Sequence, residues 1–224
     1  MNRNTNKSEK PNAHLAHLVL PDTKNQRFAK PKELNFATAQ INSNMTTKHK
    51  TFLSYHHAND EQYKIVFQKM FANIHDITIP WAIEIGDIVP NLKTETIRQK
   101  IRDEYLSDST VTVVLIGSQT WQRKHVDWEI SSSIRATQKS SRSGLVGIFL
   151  PSYPLISENK YNPHTIPPRL NDNVKCGFAT LHKWSNNPIN VQNWIHSAFE
   201  RRSKINPDNS HQLFANNRTG GQWQ

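Results

Sequence analysis

STVTVVLIGSQTWQRKHVDWEISSSI, residues 109–134, decides the fold. It opens on Val111–Gly117, an apolar run rich in β-branched residues that reads as a strand buried on both faces. Ser118, Gln119 and Thr120 follow as the cap of a helix carrying Trp121, His125, Asp127, Trp128 and Glu129. A strand that stops at a Gly-Ser turn and feeds a helix is where open α/β sheets place ligands. On that helix Glu129 lies about 60° from Val126, at the margin of the apolar stripe. A carboxylate there is partly desolvated and still reaches a cleft. The same spacing also fits an exposed Glu129 paired with His125 or Arg123.

Outward from this stretch the pattern alternates. Lys50–Tyr55 reads as the first strand and ends in the polar run His56–Asp60. Asp60 opens a helix with Tyr63, Val66, Phe67, Met70, Phe71 and Ile74 at helical spacing. Residues 77–85 form a second strand, at an edge because of Pro80. Residues 86–92 form a loop, and Thr94–Leu106 an amphipathic helix capped by Thr94. Beyond the central stretch come a strand at Leu145–Leu150, a short strand at Phe178–Leu181 and a closing helix at Asn190–Lys204. Strand and helix in alternation predict a parallel sheet of about five strands with helices on both faces.

Composition sets the limits of that domain. Only 35% of the 224 residues are hydrophobic, so part of the chain lies outside the core. Residues 1–48 hold eight Lys/Arg against three Asp/Glu and show no periodicity, which predicts a disordered basic arm. Met45, just ahead of the first strand, reads as a natural start if the upstream segment is an over-extended gene. Residues 49–204 form the domain, with Pro151–Asn173 an irregular Pro- and Asn-rich insertion, and Ile205–Gln224 a flexible tail. Half of the net charge of +10 sits in the arm, so the domain is only mildly basic; a nucleic-acid partner is not expected. One cysteine, Cys176, allows no disulfide framework, and the apolar runs are too short to span a bilayer. With no apolar signal core at the N-terminus, these readings predict a cytoplasmic chain without a membrane partner.

Several chemistries are excluded. Strand one ends in Ser54-Tyr55-His56-His57 and strand three in Gly117-Ser118, which lack the acidic groups of a phosphoryl acceptor. Phosphate-cradling GxxxxGK[ST], GxGxxG and GxSxG patterns are all missing. Adjacent histidines at His56 and His57 point to opposite faces of a strand, so no metal is expected there; His56 suits hydrogen bonding in the cleft. Ser118 fits a helix cap whose amides also suit a phosphate. Trp121 and Trp128 fit packing positions, Trp121 also the wall of a nucleotide pocket.

Together KTFLSYHHAND, TVTVVLIGSQTWQRKHVDWEI and LVGIFLP resemble the TIR-like proteins of the bacterial Thoeris anti-phage system, the ThsB type. The resemblance runs from about Lys50 to Leu150 and weakly onward to the last helix. It implies the flavodoxin-like TIR fold and chemistry on NAD as substrate, with no separate cofactor. Such enzymes cleave the nicotinamide–ribose bond and release a modified, often cyclic, ADP-ribose signal that activates a separate effector protein. Carried over, Glu129 is the catalytic glutamate, and Ser54, Tyr55, His56, Ser118 and Trp121 bind substrate; Asp87 and His125 are further substrate-binding candidates. His125 departs from related sequences, where Trp commonly stands four residues before the glutamate. A phage-derived trigger and a homo-oligomer are further implied expectations. The rival readings are a non-catalytic TIR-like adaptor, assembling through its helices and the 86–92 loop, and a nucleoside-processing transferase.

Overall fold

The computed structural model describes residues 48–71, 76–78, 96 and 99–224. The expected arm, the 86–92 loop with Asp87, the Thr94 cap and most of the second strand lie outside these residues.

The sheet is parallel throughout. Its strands are β1 (Lys50–Ser54), β2 (Asp76–Thr78), β3 (Val111–Ile116), β4 (Gly144–Phe149) and β5 (Ala179–Lys183), in the order β2-β1-β3-β4-β5. β2 is a three-residue edge; the other four strands carry the core. β3 pairs with β1 on one side and β4 on the other, and all six of its residues are buried. Its continuous apolar run is what a strand covered on both faces requires. The chain runs from β1 out to β2, then crosses back to β3. The carboxyl ends of β1 and β3 therefore flank the point where strand order reverses, the usual ligand crevice of such sheets.

Alternation along the strands sorts the side chains onto two faces. On one face Leu53, Val113, Leu115, Val146 and Ile148 pack under helices α1 (His57–Phe71) and α4 (Pro188–Lys204), through Phe67, Phe71, Val191, Ile195 and Ala198. The other face carries Val114, Ile116, Leu145 and Phe149, which meet α2 (Lys124–Ser133) and α3 (Pro168–Lys175) through Val126, Ile130 and Leu170. Phe52 completes that face with Ile101, Leu106 and Trp128. Each such side chain contributes about 1.5–3 kcal/mol by leaving water. Among the described residues no helix is long and apolar enough to cross a membrane.

Four expectations are corrected. α1 starts at His57, not Asp60, because the His56 carbonyl already accepts the amides of Asn59 and Asp60 (3.2 and 2.8 Å). The helix before β3 ends in a π-helical turn, Ile101–Tyr105, closed by the Leu106 amide on the Ile101 carbonyl. Pro151–Asn173 is not irregular throughout: a 3₁₀ turn at Pro163–Thr165 leads into α3, and Leu170 is buried against the sheet. Pro168 sits in the first turn of α3, where its missing N–H costs nothing.

The fourth correction concerns the tail. Ile205–Gln224 has no regular element, yet it is strapped to the domain. Trp128 Nε1 donates to the Phe214 carbonyl (2.9 Å), and the Phe214 amide donates to Asp127 Oδ2 (3.0 Å). Asn209 bridges to Ser131, Asn217 Oδ1 accepts from the Lys124 amide (2.8 Å), and Trp223 Nε1 donates to the Ile166 carbonyl (2.8 Å). These bonds run mostly from side chains of one segment to backbone of the other, so they leave no hydrophobic period in the sequence.

Candidate functional site

Ser54 and Glu129 meet at the carboxyl end of β1. Ser54 ends the strand with its side chain on the α2 face; Glu129 projects from the middle of α2 toward it. The Ser54 hydroxyl donates to Glu129 Oε2 at 2.6 Å across 75 positions of sequence. Glu129 is 1% exposed, so it belongs to the interior and not to the rim of the stripe. The helix is buried from Val126 to Ser133, because the strap covers the side that sequence spacing assigns to solvent. The exposed-glutamate alternative is thereby excluded.

Burial raises the Glu129 carboxyl from 4.5 to about 8, with the Ser54 hydrogen bond acting weakly the other way. Above pH 4.5 an unfolded chain ionises this group while the folded chain keeps its proton up to about pH 8. The native state binds the extra proton in that window, so its stability advantage falls as pH rises through it. Urea titrations of wild type are expected to lose on the order of a few kcal/mol from this group between pH 4.5 and 8. Glu129→Gln is expected to lack that slope and to be the more stable protein at pH 8. Parallel stability–pH curves for the two proteins would contradict it.

Around this pair the expected residues divide. His125, in the first turn of α2, places Nε2 3.0 Å from the Tyr55 carbonyl oxygen. Burial lowers its pKa to about 4, so at neutral pH the ring is uncharged and its Nε2–H donates to that carbonyl. Tyr55 thus contributes its backbone here. Its side chain alternates to the other face, joins the α1 core and donates from its hydroxyl to Glu61 at 2.5 Å. The rings of Tyr55, His57 and His125 form a ladder, with centroids 4.6 and 4.7 Å apart. His56 is buried, and burial followed by the Arg123 charge lowers its pKa to about 4.

The turn after β3 differs from its expectation. Ser118 is exposed and is not the cap of α2. A 3₁₀ turn, Thr120–Gln122, intervenes and buries Trp121 in packing, and Arg123 occupies the position ahead of the helix. The side chain that serves the first amide of α2 comes instead from Asn217 in the strap. Asp87 lies outside the described residues. Among those residues no group of three or more His, Cys, Asp or Glu is arranged to hold a metal ion.

A second buried carboxylate, Asp60, escaped the sequence reading as a mere helix opener. It is 2% exposed and lies against the β3 turn, where Thr120 Oγ1 donates to Oδ2 (3.3 Å) and Ser152 Oγ to Oδ1 (3.4 Å). Thr120 Oγ1 in turn accepts the Gly117 amide at 2.8 Å. Burial raises the Asp60 pKa, against both hydroxyl donors. A Cβ on Gly117 would stand 2.3 Å from Asp60 Oδ2, so only glycine lets the carboxylate reach the end of β3. Asp60 therefore ties the ends of β3 and β4 to α1 and holds the crevice in shape.

The arrangement is a buried, proton-retaining carboxylate at the switch point of a parallel sheet, oriented by a serine and bordered by neutral histidines. Once it gives up that proton, such a group stabilises positive charge that develops beside it, away from water. No curated protein matches the chain. Residues 52–154 match the family described as Thoeris protein ThsB, TIR-like domain. That span covers the last three residues of β1 and all of β3, α2 and β4, and therefore Ser54, His125 and Glu129. Residues 52–154 therefore form a TIR-like domain of the Thoeris ThsB type.

Proposed function

We propose that this domain consumes NAD, breaking the bond between nicotinamide and ribose to make an ADP-ribose-type signal for a separate effector. The observation that supports it is the Ser54–Glu129 pair at 2.6 Å, buried at the sheet's switch point. Nicotinamide leaves with the bonding electron pair, and positive charge grows on the ribose. An ionised Glu129 stabilises that charge or fixes the ribose hydroxyls, while water or a nucleophile within the same nucleotide attacks the anomeric carbon. Ser54 holds the carboxylate in one rotamer, so little reorganisation accompanies the reaction. His125, neutral and tied to the Tyr55 carbonyl, fixes the first turn of α2 beside β1.

The test is direct. Purified full-length protein is exposed to lysate from phage-infected cells and incubated with NAD and, separately, with free nucleosides. Release of nicotinamide from NAD, with nucleosides untouched, is the expected result. Nucleoside turnover would assign the domain to a transferase, and oligomerisation without any turnover would assign it to the adaptor class.

A further inference from the structure

Two buried nitrogens beside this site have no hydrogen-bond partner: His56 Nδ1 and Arg123 Nε. Buried polar groups are almost always satisfied, and an unmet one calls for a water, an ion or a ligand. His56 is 5% exposed and lies two residues past Ser54, the last residue of β1. Arg123 stands immediately before α2 with an extended backbone (φ −85°, ψ 121°). The bond from His125 to the Tyr55 carbonyl holds the start of α2 against the residue that precedes His56. That tether brings Arg123 and His56 to one place, and the guanidinium is close enough to act on the imidazole.

The backbone adds to the same spot. The first intrahelical bond of α2 runs from the Asp127 amide to the Arg123 carbonyl (3.3 Å), so the amides of His125 and Val126 precede it. They point out of the helix N-terminus, the positive end of its dipole. Arg123 Nη2 already donates to Gln122 Oε1 (2.9 Å); its free Nε–H, an imidazole N–H and helix amides form a donor set for a doubly charged oxyanion. Glu129 stands six residues along the same helix, about 9 Å by helical rise. A ribose together with the reaching side chains fills that distance.

We propose that Arg123, His56 and the first turn of α2 seat the diphosphate of the dinucleotide, with Arg123 the principal positioning residue. This rests on the NAD-consuming reading of the same crevice. The seat sets the ribose against Glu129 and leaves the nicotinamide bond exposed to the carboxylate. It also explains why the position ahead of α2 holds an arginine where helices prefer Ser, Thr, Asp or Asn: Asn217 supplies the cap from the strap.

The experiment uses the full chain and two probes, ADP-ribose, which carries the diphosphate, and adenosine, which carries none. Arg123→Ala is expected to weaken ADP-ribose binding by about 10- to 100-fold, the loss of a charged hydrogen-bonding group, and to leave adenosine binding unchanged. Arg123→Lys keeps the charge without the Nε–H and is expected to recover part of the loss. In turnover, Arg123→Ala raises KM far more than it lowers kcat. Thermal melting serves as the folding control; Arg123→Gln replaces a variant that melts early. ADP-ribose binding that is absent in wild type, or equal in wild type and Arg123→Ala, overturns the proposal. If binding depends on Arg123 yet wild type releases no nicotinamide, the anion seat stands and the NAD-consuming reading fails. If nicotinamide release survives Arg123→Ala with unchanged KM, the catalytic reading stands and the seat is wrong.

Discussion

Glu129→Gln is expected to reduce nicotinamide release from NAD by on the order of 10²–10³-fold, with little change in NAD affinity. Glutamine keeps the shape and still accepts the Ser54 hydroxyl, so the variant removes the charge and little else. The charge is what a cationic ribose needs, and the deficit belongs in kcat. Burial gives this prediction a second, pH-dependent part. With its carboxyl held at about 8, wild type at pH 7 is mostly protonated at Glu129 and mostly unable to stabilise the cation. The kcat/KM of wild type is therefore expected to climb with pH toward an apparent pKa near 8, and residual turnover by the variant to stay flat. Because removing a buried ionisable group also stabilises the fold at high pH, lost activity will coincide with a higher melting temperature. A variant equal to wild type in turnover overturns the enzymatic reading. A wild-type profile that is flat from pH 6 to 9 removes Glu129 from the reaction.

The same burial explains how much of the site was legible in the sequence. β3 was readable because a six-residue run with five apolar side chains and one threonine has no other home in a chain this polar. Glu129 was readable as a position on the right helix. Its depth was not, since the wheel assigned one flank to solvent and the strap covers it. Residues 205–224 bond through Asn209, Asn217 and the backbone of His211 and Phe214, contacts without a period. Tyr55 followed strand alternation to the α1 face, so its role in the crevice passed to its carbonyl. Asp60 and Arg123 were missed for a common reason. Each was assigned by its local place relative to a helix, and each has neighbours remote in sequence: Thr120 and Ser152 for Asp60, His56 for Arg123. α3 was hidden by counting prolines without placing them, for Pro168 sits where a helix accepts one.

Arg169→Ala is expected to cost about 3–5 kcal/mol in urea denaturation, as breaking a buried ion pair does. Arg169 and Asp127 are almost wholly buried, with Nε 3.0 Å from Oδ1 and Nη2 3.5 Å from Oδ2. The guanidinium also donates to Asn209 Oδ1 and to the His211 carbonyl, both at 2.7 Å, while Asp127 accepts the Phe214 amide. One pair thus joins α3, α2 and the strap. Removing the arginine leaves a buried carboxylate beside a void and frees two anchors of the strap together. A surface pair would cost about 0–1 kcal/mol, so the size of the loss distinguishes the two situations. Limited proteolysis gives an independent measure: cleavage between Ile205 and Phe214 should accelerate in the variant while α4 stays protected. The double replacement Asp127→Leu with Arg169→Met is expected to regain part of the stability, since it leaves no buried charge. It should not restore the protease resistance of the strap, because the Phe214 amide and the His211 carbonyl lose their partners in it. A double variant that regains both shows that the strap is held by its apolar contacts alone, Phe214 chief among them, and not by the ion pair.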